Sequence, residues 1–235
     1  MQINDNQQLC TLNNEQLQLF LSGRFGDGCI TTSNTNSTYY TTNCKFKEYI
    51  MFKSNLLGSM SKRIGYTPSN GYSKTPIYTL RSCSSKVLDV IKKLRYEDIL
   101  PLLDNLGLAL WFYDDISLHK TNLFYNLNTQ ALPKEFQENC LIPYFNKLEI
   151  YPKLQIERKK DGRVFWYLRI AKYEGASKIS ELMSHLNINC YNYKLWSSET
   201  IQKWSKLQEQ LKSQNKIPSD YYPYQLGCMM REVVL

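Results

Sequence analysis

The sequence predicts an α+β protein built as two pseudo-symmetric αββαββα lobes. Three observations lead there. Helical and extended segments recur in the same order in both halves; the leading helix of each half ends on carboxylates; and one hairpin strand alternates between apolar and basic or aromatic residues. The two leading helices end 88 residues apart, at 27 and 115. A repeat that long, occurring twice, implies a pseudo-twofold protein rather than a solenoid.

In the first half, residues 14–27 have helical periodicity, with Leu17, Phe20, Leu21 and Phe25 apolar. Residues 29–44, rich in Thr, Tyr and Asn around a turn at 33–36, read as a hairpin. Residues 46–60 are helical again, 62–82 form a second hairpin around 68–71, and 84–95 are a serine-capped helix. The second half repeats this order: a helix over 99–115, an extended stretch over 116–127, a helix over 133–148, a hairpin over 149–171 and a helix over 172–186. The last hairpin turns at Lys160-Asp161-Gly162, a strong Asp-Gly signal. Residues 197–214 read as a capped polar helix, followed by an irregular tail containing Tyr and Pro. The expected divisions are 1–97, 98–196 and a C-terminal extension over 197–235.

The chain has 235 residues, of which 43% are hydrophobic and 21% charged, enough to bury a sizeable core and unlike a disordered tail. Its longest uncharged apolar run, residues 106–113, is far short of the roughly 20 needed to span a bilayer. The N-terminus lacks a charged region followed by an apolar one, so no secretory signal is expected. Seven cysteines scattered without a C-x-x-C pair argue against a zinc knuckle or disulfide framework and suit a reducing compartment. The Asn, Tyr, Lys and Ile richness fits an AT-rich genome, which favours an organelle or a phage- or virus-infected cytoplasm as the setting. A net charge of +8 points to a polyanionic partner, nucleic acid being the commonest.

The strand over 163–170 places Val164, Trp166, Leu168 and Ile170 on one face and Arg163, Phe165, Tyr167 and Arg169 on the other. An outward face of arginines and aromatics beside the basic turn Arg158-Lys159-Lys160 suits a sheet lying along a nucleic-acid groove. Candidate DNA contacts are therefore Arg158, Lys160, Arg163, Tyr167 and Arg169, with Lys45 and Arg81 from the first half.

Carboxylates at a helix C-terminus oppose the helix dipole, costing about 0.3–1 kcal/mol each. A divalent cation reverses that sign, because carboxylates beside exposed helix carbonyls form a hard-oxygen site suited to magnesium, or manganese in its place. Two such ends at matching points of a repeat read as a site drawn from Gly26 and Asp27 in one half and Asp114 and Asp115 in the other. Ser22 and Gly26 lie on one helical face and would let the second leading helix approach closely, forming a central helix pair.

The stretch FLSGRFGDG at 20–28 resembles the nine-residue motif of LAGLIDADG homing endonucleases, and LALWFYDDI at 108–116 resembles its second copy. The resemblance covers roughly residues 13–195, since the element order after each motif also fits. It implies a monomeric endonuclease whose saddle-shaped antiparallel sheets bind a long, asymmetric duplex DNA site. Such an enzyme cleaves both strands across the minor groove with divalent metal. Asp27 and Asp115 take the positions of the metal-binding acids, and Lys93 and Lys194 those of the basic residue near each active site. The same scaffold also serves non-cleaving DNA- or RNA-binding proteins, such as intron maturases or regulators. The chain departs from the motif at Ile116, where the family has glycine, and at Leu110 and Asp114, whose counterparts are small. Arg24, inside the first motif, must point away from the helix pair or be paired.

Overall fold

The computed structural model describes residues 12–69, 74–218, 221 and 223–234. The first repeat runs α1 (Asn14–Gly23), β1 (Gly28–Thr32), β2 (Thr38–Cys44), α2 (Lys47–Leu57), β3 (Ser61–Thr67), β4 (Ile77–Ser82) and α3 (Lys86–Lys93). A short helix α4 (Tyr96–Ile99) leads to α5 (Asn105–Asp115), which opens the second repeat. Then follow β5 (Ile116–His119), β6 (Phe124–Leu127), α6 (Lys134–Phe136), a π turn (Gln137–Leu141), α7 (Ile142–Lys147), β7 (Lys153–Arg158), β8 (Val164–Ile170) and α8 (Tyr173–Ser184). Helices α9 (Ser198–Ser213) and α10 (Pro223–Glu232) complete the chain. Both sheets are antiparallel with one topology, β1-β2-β4-β3 and β5-β6-β8-β7. The repeat read from the sequence is a repeat of fold.

Local chemistry explains the boundaries. Asn13 and Gln16 form a reciprocal capping box that starts α1, satisfying two otherwise orphaned N–H groups. Ser85 caps α3. Gly162 turns the last hairpin at φ +85°, a conformation that glycine adopts without a Cβ clash. The turn expected around 68–71 lies partly outside the described residues.

Three expectations are corrected. The helix read over 99–115 is interrupted: Pro101 sits in a 3₁₀ turn, and Asp104 accepts the Gly107 N–H at 3.0 Å, starting α5 afresh. The helix over 133–148 contains a π turn just before Pro143, which cannot donate to the helical ladder. The tail is not irregular throughout. Proline fits the first turn of α10, and Leu226, Met230 and Val233 are buried at helical spacing along and just past it.

The chain forms two compact units, one reaching Asp114 and including Ile188–Cys190, the other comprising Asp115–Asn187 and everything from Tyr191. The division thus falls at the end of α5 rather than between 97 and 98, because α5 packs onto α1. Phe25 stacks on Trp111 with ring centroids 4.5 Å apart, and Gln18 binds the Leu102 carbonyl and the Asp104 N–H. The first unit's core includes Phe20, Tyr40, Ile50, Leu57, Leu80, Leu88 and Ile91, all fully buried. The second is built on Tyr125, Leu127, Phe145, Leu168 and Ile179, and α9 and α10 extend it. There Trp204 and Trp196 both meet the Tyr173 ring edge-on, at 5.4 and 5.6 Å. Helices α9 and α10 therefore belong to the second unit. No helix among the described residues is long and apolar enough to cross a membrane.

Candidate metal centre and nucleic-acid face

Asp27 closes the turn after α1 and immediately precedes β1, while Asp115 ends α5 and immediately precedes β5. The two acids hold the same topological position in the two repeats. Asp27 is exposed; Asp115 is half-buried, with its carbonyl accepting the Asn128 N–H at 3.0 Å. Ser22 is buried, and its carbonyl accepts the Gly26 N–H at 3.0 Å as the chain leaves α1.

Asp114, expected among the metal ligands, has other partners. Its Oδ1 accepts from Lys53 Nζ at 2.7 Å and from the Tyr49 hydroxyl at 2.8 Å. Its Oδ2 accepts from Lys53 Nζ at 2.9 Å and from the backbone N–H of Asp27 at 3.2 Å. Both side chains of the Lys53–Asp114 pair are 1% exposed. The carboxylate is engaged in this inward network. Burial works to lower the Lys53 pKa, but Asp114, with Tyr40 and Asp27, outweighs it and leaves that pKa raised. Lys53 therefore stays a cation at neutral pH. Burial pushes the neighbouring Tyr40 phenol up to about 12.

The bulk of Asp114 is accommodated by Gly26. A Cβ at Gly26 would lie 2.7 Å from Asp114 Oδ2 and 2.8 Å from its Cβ. The turn after α1 is small where α5 carries a carboxylate, so the departure at Asp114 is matched by Gly26. Arg24 is paired, as its place in the motif required: its guanidinium donates to the Ile91 and Lys92 carbonyls at 2.8 and 2.7 Å, capping α3.

On the second sheet, Arg169 shares one face with Tyr167, Phe165, Asn126 and Phe124, as the alternation predicted. Arg169 is held there, donating to Asn126 Oδ1 at 3.0 Å and the Tyr167 hydroxyl at 2.9 Å, with its guanidinium 4.6 Å from the Phe124 ring centroid. Arg163 lies beyond the strand, ion-paired with Asp161 at 2.8 Å, and Lys160 is exposed in the turn. Arg158 is opposite Val164, so the register assigns it to the other face from Arg169, contrary to expectation. On the first sheet, Arg81 lies 3.7 Å from the Tyr39 ring centroid and Lys45 is exposed just after β2.

Each sheet also sets two cations directly across from one another: Arg63 opposite Arg81, and Lys153 opposite Arg169. Like charges in register oppose pairing, and a polyanion lying on that face removes the penalty. The sequence reading missed Arg63 and Lys153; both follow from the period-two rule once Arg81 and Arg169 are placed and the hairpin registers are known.

No protein-family model and no curated protein matches this sequence. Solved structures do. The homing endonuclease I-WcaI, bound to its DNA recognition sequence, matches with a TM-score of 0.59 at 19% identity, over 79% of this chain and 87% of that one. The chain has a homing-endonuclease fold. Mesophilic variants of the homing endonuclease I-DmoI match with a TM-score of 0.46 at 18% identity, over 74% of this chain and 98% of that one. The LAGLIDADG meganuclease I-AabMI, bound to uncleaved DNA, matches with 0.40 at 13% identity, over 95% and 99%.

Within the homing-endonuclease fold the two basic candidates differ. Lys93 is exposed at the C-terminus of α3, where the helix dipole favours a cation. Lys194 is 8% exposed at the end of a 3₁₀ turn, with its ammonium 4.7 Å from the Tyr191 ring centroid and its carbonyl accepting from the Tyr125 hydroxyl at 2.8 Å. Lys53 was missed altogether: a lysine inside an amphipathic helix reads as solvent-facing, and only the fold shows the buried Asp114 that it meets.

Proposed function

We propose that this protein is a site-specific endonuclease that hydrolyses a phosphodiester bond in each strand of a long, asymmetric duplex DNA target. The observation that carries the reading is the placement of Asp27 and Asp115. Asp27 closes the turn after α1 and Asp115 ends α5, each immediately before the first strand of a sheet bearing cross-strand cation pairs. The likeness in fold to an endonuclease bound to its recognition DNA supports it.

The donor chemistry fits magnesium or manganese. Among the described residues no group of three or more His, Cys, Asp and Glu could hold a metal ion. Zinc, bound structurally by four Cys or His ligands, is a poor match, whereas magnesium commonly takes one or two carboxylates and completes its shell with water and substrate phosphate. Asp27 and Asp115 would each hold the ion. When bound, it neutralises phosphate charge and lowers the pKa of water. Arg81 and Arg169, with Arg63 and Lys153, hold the DNA backbone against the sheets, and Lys93 and Lys194 stabilise negative charge at the phosphate under attack.

The test is a cleavage selection: the protein, with magnesium, is incubated with a randomised duplex library, and fragments cut in both strands are sequenced. A single recurring target is expected. Sequence-specific binding without cutting in either magnesium or manganese would establish a non-cleaving binding protein instead.

A further inference from the structure

The first compact unit contains a buried charge pair for which DNA cleavage has no direct use. Lys53, in the middle of α2, and Asp114, next to last in α5, are both almost completely removed from water. Desolvating two charges costs several kcal/mol per ion, and such pairs can often be replaced by apolar residues without loss of stability. The pair is therefore a poor choice if stability were its only purpose. Its geometry shows another consequence. Lys53 contacts both oxygens of Asp114, Tyr49 contacts one, and the remaining hydrogen bond to the carboxylate comes from the backbone N–H of Asp27. Gly26 supplies the space that lets this carboxylate reach the Asp27 turn.

The geometry points to Lys53 and Asp114 as positioning residues: Lys53 fixes the Asp114 carboxylate, which fixes the turn that presents Asp27. This inference rests on the endonuclease reading, because it gives the pair a purpose through the acid that reading uses. Asp114 is then the anchor of the neighbouring repeat's acid and not itself a ligand. Misplacement of a catalytic group by about 1 Å can cost about a hundred-fold in rate, so an anchor of this kind matters even where it touches no substrate.

The test is the double variant Lys53→Met/Asp114→Leu, which removes the pair without leaving a lone buried charge. Four quantities are measured on parent and variant: melting temperature, duplex affinity in calcium, hydrogen exchange at the Asp27 amide, and single-turnover cleavage against magnesium concentration. The duplex is one selected from a random library by parental cleavage. The variant should melt near the parent and bind DNA within about three-fold, because the sheet faces are intact. Its Asp27 amide should exchange at least about ten-fold faster. Its cleavage should fall by at least about ten-fold, with more magnesium required for half-maximal rate. A folded variant whose Asp27 amide and cleavage rate both match the parent's would overturn the inference. So would an unprotected Asp27 amide in the parent, which keeps the test decisive if the variant does not fold. A parent that cuts no duplex, while the amide responds as expected, would instead overturn the endonuclease reading.

Discussion

The two repeats share element order and sheet topology, yet they stabilise their buried polar interiors in different ways. Behind Asp27 the first sets a charged pair, its own Lys53 with Asp114 from the second repeat's leading helix. The second uses a neutral amide. Gln137, fully buried in the π turn, donates to the Thr129, Leu132 and Trp166 carbonyls and accepts from the Thr129 hydroxyl at 2.7 Å. A neutral network fixes a core at a modest desolvation cost; a charged one costs more and makes loss of either partner severe. The first repeat accepts that cost where its partner also holds an acid-bearing turn.

Breaking each network on its own should expose the difference. Lys53→Met leaves Asp114 buried without its cation and should destabilise by about 3–5 kcal/mol in denaturant titration. Gln137→Leu removes the amide's hydrogen bonds to the Thr129 hydroxyl and to the surrounding carbonyls, and should cost less, about 1–3 kcal/mol. Equal losses would mean that the charged pair carries no special penalty.

Gly26→Ala sharpens the same contrast from the turn after α1. Its methyl would crowd the Asp114 side chain, so even this small change should cost about 1–3 kcal/mol by thermal melting. Gly65→Ala is the control, since the nearest atom to its Cβ would be 3.8 Å away, and it should stay close to the parent.

The smallest expected effect concerns the faces. Arg169→Ala should lower the log-log salt dependence of DNA binding by about one for each phosphate that the guanidinium neutralises. Arg158→Ala, on the other face by register, should leave that slope unchanged. An equal change in both would break the assignment of the binding face.

Much of this was legible in the sequence because it depends on periodicity. The alternation at 163–170 indicated which side of β8 carries Arg169, and the repeat pattern indicated that Asp27 and Asp115 hold matching positions, although the first helix ends at Gly23 rather than at 27. What was not legible depends on residues distant in sequence. Lys53 and Asp114 are 61 residues apart, and nothing local in either segment says that they meet. The interruption before α5 was readable in principle, since Pro101 and Asp104 are a turn and a cap, but the flanking leucines masked it with continuous helical periodicity. The same holds for α10, where Leu226, Met230 and Val233 carry a helical pattern beneath a segment rich in Tyr and Pro.

The central claim is that Asp27 and Asp115 occupy equivalent places and do equivalent work. It is tested most directly by Asp27→Asn and Asp115→Asn, assayed for double-strand cleavage of a selected target in magnesium, with DNA affinity measured alongside in calcium. Each substitution removes a charge that would hold the ion in the proposed site but leaves the sheet faces intact, so both variants should bind within about three-fold of the parent and fail to cut both strands. Cleavage of both strands at the parental rate by either variant would contradict the account.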